Sequence, residues 1–188
     1  MKFRKLPTSG TVKGVSPKFL KFARFANLFL VALLAGLLVG VFIVELALLD
    51  VSASVYTAVE KPKHEVFEPI MPVVNTLVID SGLVVLLLIP DRMTWVFGLT
   101  VVGVACTIVA TITTLLVNVP INSEIINVWS VNNPPVDWAQ VRDRWNLFHA
   151  VRTVLAVVAL FCLLLAALTS QPQYLSGKGN AGFGKERT

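Results

Sequence analysis

Trp138, Arg142, Trp145, His149 and Arg152 follow one another at intervals of four, three, four and three residues. At 100° per helical residue the five fall within an arc of about 80°. The residue types leave more than one role open. An imidazole can move a proton near neutral pH or bind a ligand, an arginine at this depth can face a substrate or a structural ion pair, and tryptophans and arginines also anchor a helix at the membrane interface. A stripe of this kind is not solvated by lipid, so it must face other helices or a wet cavity. Asn118 and Asn122 precede it in the chain, and Glu45 and Asp80 stand inside apolar stretches.

The elements that carry these residues are set by composition. The 188 residues are 55% apolar and 14% charged, against about 25% charged in ordinary soluble chains. That excludes a cytosolic globule, a disordered chain and a secreted disulfide scaffold. Cys106 and Cys162 lie in apolar runs with no disulfide or zinc spacing, and read as small buried hydrophobes. A hydrocarbon core of about 30 Å needs about 20 helical residues, and four segments supply them: about 25–49, 70–89, 94–117 and 137–168. The fold class expected is therefore all-α, a four-helix transmembrane bundle over residues 25–168. Pro90, Asp91 and Arg92 make a tight turn between spans two and three, while 50–69 and 118–137 read as longer polar loops.

The basic residues give the orientation. Residues 1–24 hold Lys2, Arg4, Lys5, Lys13, Lys18, Lys21 and Arg24 with no acid. The tail at 169–188 carries Lys178, Lys185 and Arg187, and Arg92 falls on the same side. Lys61 and Lys63 on the other side are outnumbered by Glu60, Glu65 and Glu68. The positive-inside rule places both termini in the cytoplasm of a multi-pass cell-membrane protein. The first span is longer than the apolar core of a signal peptide, so the basic terminus reads as a membrane anchor rather than a nucleic-acid arm. The net charge of +5 fits attraction to anionic headgroups, and both tails read as solvated segments without a core.

Depth is estimated from helix rise. Arg152 falls roughly 5 Å inside the core and His149 at its rim. Glu45 lies about 6 Å deep, Asn75 about 7 Å deep, and Asp80 near the midplane. Ionisable groups at such depths are costly and mark function by default. An interfacial belt of two tryptophans, with arginines reaching for headgroups, explains Arg144 and Arg142, but Arg152 needs a partner. Glu45 is the best match in depth and Asp80 the second, and a structural ion pair and a substrate-facing role stand equal for Arg152. His64, His149 and a carboxylate would make a two-His-one-carboxylate site. However, the segment KPKHEVFEP has no ligand spacing and its charges read as a solvated face, so no metal is assigned. The ridge Ala32, Gly36, Gly40 allows close helix approach; packing within the bundle is preferred over a homo-oligomer. Nucleotide loops, a Ser-His-Asp order and calcium loops are absent, so no cofactor is assigned. No inverted repeat appears, and the inner half lacks polar residues, which disfavours a transporter.

The stretch from Asn118 to Thr153, NVPINSEIINVWSVNNPPVDWAQVRDRWNLFHAVRT, resembles the signature of the anthrone oxygenase-like family of four-helix membrane proteins, also known as domain of unknown function 1772. The family pattern pairs an NVPxN segment with W-x3-R-x-R-W-x3-H-x2-R-T. Asn118, Val119, Pro120 and Asn122 match the first part. Trp138, Arg142, Arg144, Trp145, His149, Arg152 and Thr153 match the second. The first two helices match only in character.

The resemblance implies an integral membrane protein, and some family members oxidise polyketide anthrones to anthraquinones with molecular oxygen. On that reading His149 is the base that enolises the substrate, and Arg152 or Arg142 holds the anion together with Asn118 and Asn122. Trp138 and Trp145 stack on the flat rings, and Glu45 joins the substrate pocket. The partners expected are a hydrophobic small molecule or lipid and the membrane, with no nucleic acid. The other open reading is a non-catalytic protein that binds a lipid, quinone or ion, or that scaffolds a partner complex.

Overall fold

The computed structural model describes residues 16–170. Five α-helices follow in order: α1 Pro17–Ala47, α2 Ala53–Leu88, α3 Trp95–Thr113, α4 Val119–Asn127 and α5 Trp138–Thr169. A π-helical turn at Thr114–Asn118 joins α3 to α4, so these run on as one segment, Trp95–Asn127. The architecture is all-α, with four helical segments long and apolar enough to cross a membrane. At 1.5 Å per residue each reaches beyond the roughly 30 Å of a hydrocarbon core. Their outward faces carry large apolar side chains, among them Phe25, Phe29, Leu33, Leu77, Val84 and Phe161, as a lipid-facing surface requires.

Element boundaries differ from the sequence reading in three places: α1 and α2 begin earlier, and α4 lies within the expected loop at 118–137. Helix α1 begins at Pro17, capped by the Ser16 hydroxyl accepting from the Lys18 amide, so Lys18, Lys21 and Arg24 stand on helix rather than in a tail. The basic residues of the two ends used for orientation, Lys2 to Lys13 and Lys178 to Arg187, lie outside the described residues. Helix α2 begins at Ala53 and absorbs residues 53–69 of the expected loop at 50–69. Pro62, Pro69 and Pro72 lie within α2 but all on its exposed face.

Helix α5 packs most extensively on α3 and then on α1. Gly103 permits the first contact, because a Cβ there would come within 2.9 Å of Leu163 Cγ and 3.3 Å of the Ala159 carbonyl oxygen. Gly82 does the same where α2 meets Val104, beside Asn27. Asn27 donates to Ser81 Oγ and to the Val78 carbonyl, tying α1 to α2. Val31, Leu34, Leu38, Val78, Ala159 and Leu163 form the central core. The Ala32, Gly36, Gly40 ridge does not serve packing within the bundle as expected. All three are exposed, and nothing lies within 4 Å of a Cβ built on either glycine.

Candidate functional site

Helix α2 packs on α1, α3 and α4 but is held off α5. The gap is a cavity of about 340 Å³ in the half of the bundle away from the chain termini. Its apolar wall is built by Leu37 and Val41 of α1, Phe67, Met71 and Ile79 of α2, and Leu115 of the π turn. Its polar end is formed by Lys63, His64, Trp145, His149 and Arg152. The volume falls within the roughly 300–1,000 Å³ typical of small-ligand sites.

The stripe on α5 turns inward at its lower half. Trp145, His149 and Arg152 are buried, while Arg144 is exposed. Arg152 is 7% exposed, and its guanidinium donates through Nε (2.9 Å) and Nη2 (2.7 Å) to His149 Nδ1 and through Nη1 (3.3 Å) to Thr114 Oγ1. An imidazole nitrogen that accepts from a guanidinium carries no proton, so the ring proton of His149 sits on Nε2, which donates to the Leu38 carbonyl at 3.0 Å. Both ring nitrogens are thus engaged, and abstraction of a substrate proton by His149 requires its contact with Arg152 to break first.

The expected carboxylate partner of Arg152 does not materialise. Glu45, 2% exposed, pairs with Lys63. Asp80 is exposed on the outer face of α2. Among the described residues no carboxylate lies within ion-pair distance of Arg152. A buried cation without a counter-charge is expensive, and here its surroundings are an imidazole, a hydroxyl and the cavity.

Trp145 organises this end. Its ring stacks on His149 with centroids 4.8 Å apart at 11°, and meets the His64 ring edge-on at 5.5 Å. Lys63 Nζ lies 4.9 Å and Arg152 Cζ 5.3 Å from its centroid. Its Nε1 donates to Asn122 Oδ1 at 2.6 Å, and its carbonyl accepts from Asn118 Nδ2 at 3.2 Å. Pro120 explains how both asparagines reach α5. It has no amide to offer the preceding turn, and a π turn is a common way for a helix to absorb that loss. The widened turn brings Thr114 and Asn118 against Arg152 and Trp145.

Of the residues singled out in the sequence, Asn75, Asn122, Trp145, His149 and Arg152 line the cavity, and so does His64. Asn118 stands behind Trp145, and Glu45 reaches the cavity only through Lys63. Trp138 and Arg142 lie beyond its end. Trp138 packs on Tyr56 at 5.6 Å with the Arg142 guanidinium over its ring, and Arg142 donates to the Leu49 carbonyl at 2.7 Å. Three site residues were read instead as a solvated face: Glu60, Lys63 and His64. Lys63 lies between the Glu45 and Glu60 carboxylates. Tyr56, Glu60, His64, Phe67 and Met71 recur at intervals of four, four, three and four, a helical period that the prolines disguise. Among the described residues no group of three or more His, Cys, Asp or Glu side chains is placed to hold a metal.

Comparison with known proteins gives one finding. A family model described as anthrone oxygenase matches residues 64–162, a stretch that begins at His64 on α2 and takes in the whole polar end of the cavity contributed by α5. No curated protein and no solved structure gives a match.

Proposed function

The chain belongs to the anthrone oxygenase family, and on that footing we propose that it is an integral membrane oxygenase acting on an anthrone-like aromatic ketone in the cavity between α2 and α5. The observation that carries this reading is Arg152, a buried cation with no carboxylate partner at one end of an apolar cavity. Its natural complement is a hydrophobic molecule with one anionic oxygen. An anthrone becomes such a molecule on losing a proton from the methylene opposite its carbonyl. The C–H electron pair moves through the ring to the carbonyl oxygen, and the aromatic alkoxide formed is electron-rich enough to react with dioxygen. Overall the CH2 group and O2 become a carbonyl group and water.

In this scheme Arg152, with Lys63, meets the developing oxyanion, a charge that a fixed cation in a dry site stabilises strongly. His149 holds the guanidinium in place through Nδ1. Asn118 and Asn122 fix Trp145, whose ring closes the polar end. Phe67, Met71 and Ile79 receive the ring system. Trp138 and Arg142 support the rim, and Glu45 holds Lys63 from behind.

Oxygen uptake by the purified protein with an anthrone tests the reading. Uptake matched by anthraquinone formation, and reduced at least tenfold in Arg152→Gln, is expected. No uptake with several anthrones, together with a copurifying lipid or quinone, would replace catalysis by simple binding.

A further inference from the structure

The cavity needs a proton acceptor, and His149 has neither ring nitrogen free. A second imidazole faces the same space. His64, 3% exposed, lines the cavity from α2, opposite α5. Its buried Nε2 lies 3.1 Å from Glu60 Oε2, in a contact too poorly aligned for a full hydrogen bond, and it has no other partner. Glu60 precedes His64 by four residues, so one helical face carries both. Glu60 is itself fully buried, with Lys63 Nζ 2.5 Å from its carboxylate. The ring edge of His64 rests against Trp145, which sets its plane without engaging its nitrogens. The charged groups around it are Glu60, Lys63 and the cavity-lining Glu68 on α2, Glu45 on α1 and Arg152 on α5.

We propose that His64, oriented by Glu60, is the catalytic base of this cavity, taking the substrate's methylene proton on Nδ1 while the oxyanion forms against Arg152. A carboxylate beside Nε2 selects the tautomer that carries hydrogen there and leaves the Nδ1 lone pair free, and it stabilises the imidazolium that forms. The misaligned contact with Glu60 tightens when the ring gains a proton, as catalytic hydrogen bonds commonly do only in the complex. The C–H bond breaks, its electron pair passes to the ketone oxygen, and the proton passes to Nδ1. Both methylene hydrogens leave finally in the water formed with dioxygen. Two imidazoles thereby divide the work from opposite walls: His149 fixes the anion-binding arginine and His64 moves the proton. The assignment rests on the oxygenase reading, deepens it, and places the base outside the α4–α5 motif.

Anaerobic hydrogen exchange isolates this step. The full-length protein in lipid nanodiscs is incubated with anthrone in D2O without oxygen, and methylene deuteration is read by mass spectrometry. The wild type is expected to exchange the methylene faster than protein-free nanodiscs. His64→Gln loses that acceleration by roughly 10²–10⁴-fold, the usual worth of a positioned base, while anthraquinone, which has no methylene, binds within about threefold of wild type, because a base moves a proton rather than holding the rings. His64→Gly regains exchange on addition of imidazole. Glu60→Gln slows exchange by about tenfold or more without weakening anthraquinone binding, and Glu60→Asp recovers part of the loss. If His64→Gln exchanges like wild type while Arg152→Gln does not, the base assignment falls and the oxygenase reading stands. If His64→Gln loses exchange and binding together and imidazole restores neither, His64 is structural and the assignment falls again. If the wild type itself gives no acceleration, both readings fall together.

Discussion

Replacing Arg152 with Met removes the charge at nearly constant volume and separates a structural arginine from a ligand-binding one. The variant loses two contacts to His149 Nδ1 and one to Thr114 Oγ1. Hydrogen bonds from charged groups contribute about 1.5–3 kcal/mol each. Against that stands the cost of burying a guanidinium with no carboxylate beside it, several kcal/mol even after relaxation. The two terms are of similar size, so thermal stability in detergent should change little, at about 2–4 °C per kcal/mol of residual difference. Ligand affinity should respond differently. An anionic oxygen about 4 Å from the guanidinium gains about 4 kcal/mol at an effective dielectric of 20. After desolvation roughly 1.5–3 kcal/mol of that survives. At 1.4 kcal/mol per decade, a hydroxyanthraquinone titrated as its phenolate should bind roughly 10- to 100-fold more weakly to Arg152→Met, as read by tryptophan quenching. A variant that melts more than about 10 °C lower and still binds the phenolate as wild type does would show that Arg152 serves the fold, and the reasoning from its missing counter-charge would be wrong.

Lys63→Met should destabilise the bundle by about 3–5 kcal/mol, because it leaves the Glu45 and Glu60 carboxylates buried without their cation. Adding Glu45→Gln and Glu60→Gln should restore most of the melting temperature, and failure of that rescue would mean Lys63 acts through packing. Gly103→Ala should cost about 1–3 kcal/mol by forcing α3 from α5. Gly36→Ala, where a Cβ meets nothing, should be neutral or stabilising by up to about 1 kcal/mol; thermal melts of the two variants side by side check the contrast. Pro120→Ala should let the π turn relax toward α-helix and carry Asn118 away from the Trp145 carbonyl. Hydroxyanthraquinone affinity should then fall while the melting temperature holds.

The apolar lengths disclose four spans because crossing a bilayer is a one-dimensional requirement, and the spacing on α5 discloses its inward stripe because helical period is local. The family signature likewise lies in one contiguous stretch, Asn118–Thr153. What the sequence conceals is tertiary. Lys63 looks solvated in KPKHEVFEP, and it is drawn inward, to 13% exposure, by Glu45 of α1, distant in the chain. The same pairing takes from Arg152 the partner that depth alone favoured for it. Pro62 and Pro69 lie in a stretch that reads as a polar loop, and only the burial of Tyr56, Glu60 and His64 shows it to be the start of α2. Ala32, Gly36 and Gly40 are spaced for close packing, but spacing does not reveal which face a neighbour occupies.

A structure of the protein with a hydroxyanthraquinone bound tests the central claim most directly. The account predicts one ligand between α2 and α5, its rings against Phe67 and Met71 and a ring oxygen within hydrogen-bonding distance of the Arg152 guanidinium. A ligand seated elsewhere, or lying in the cavity with its oxygens turned from Arg152, would contradict it.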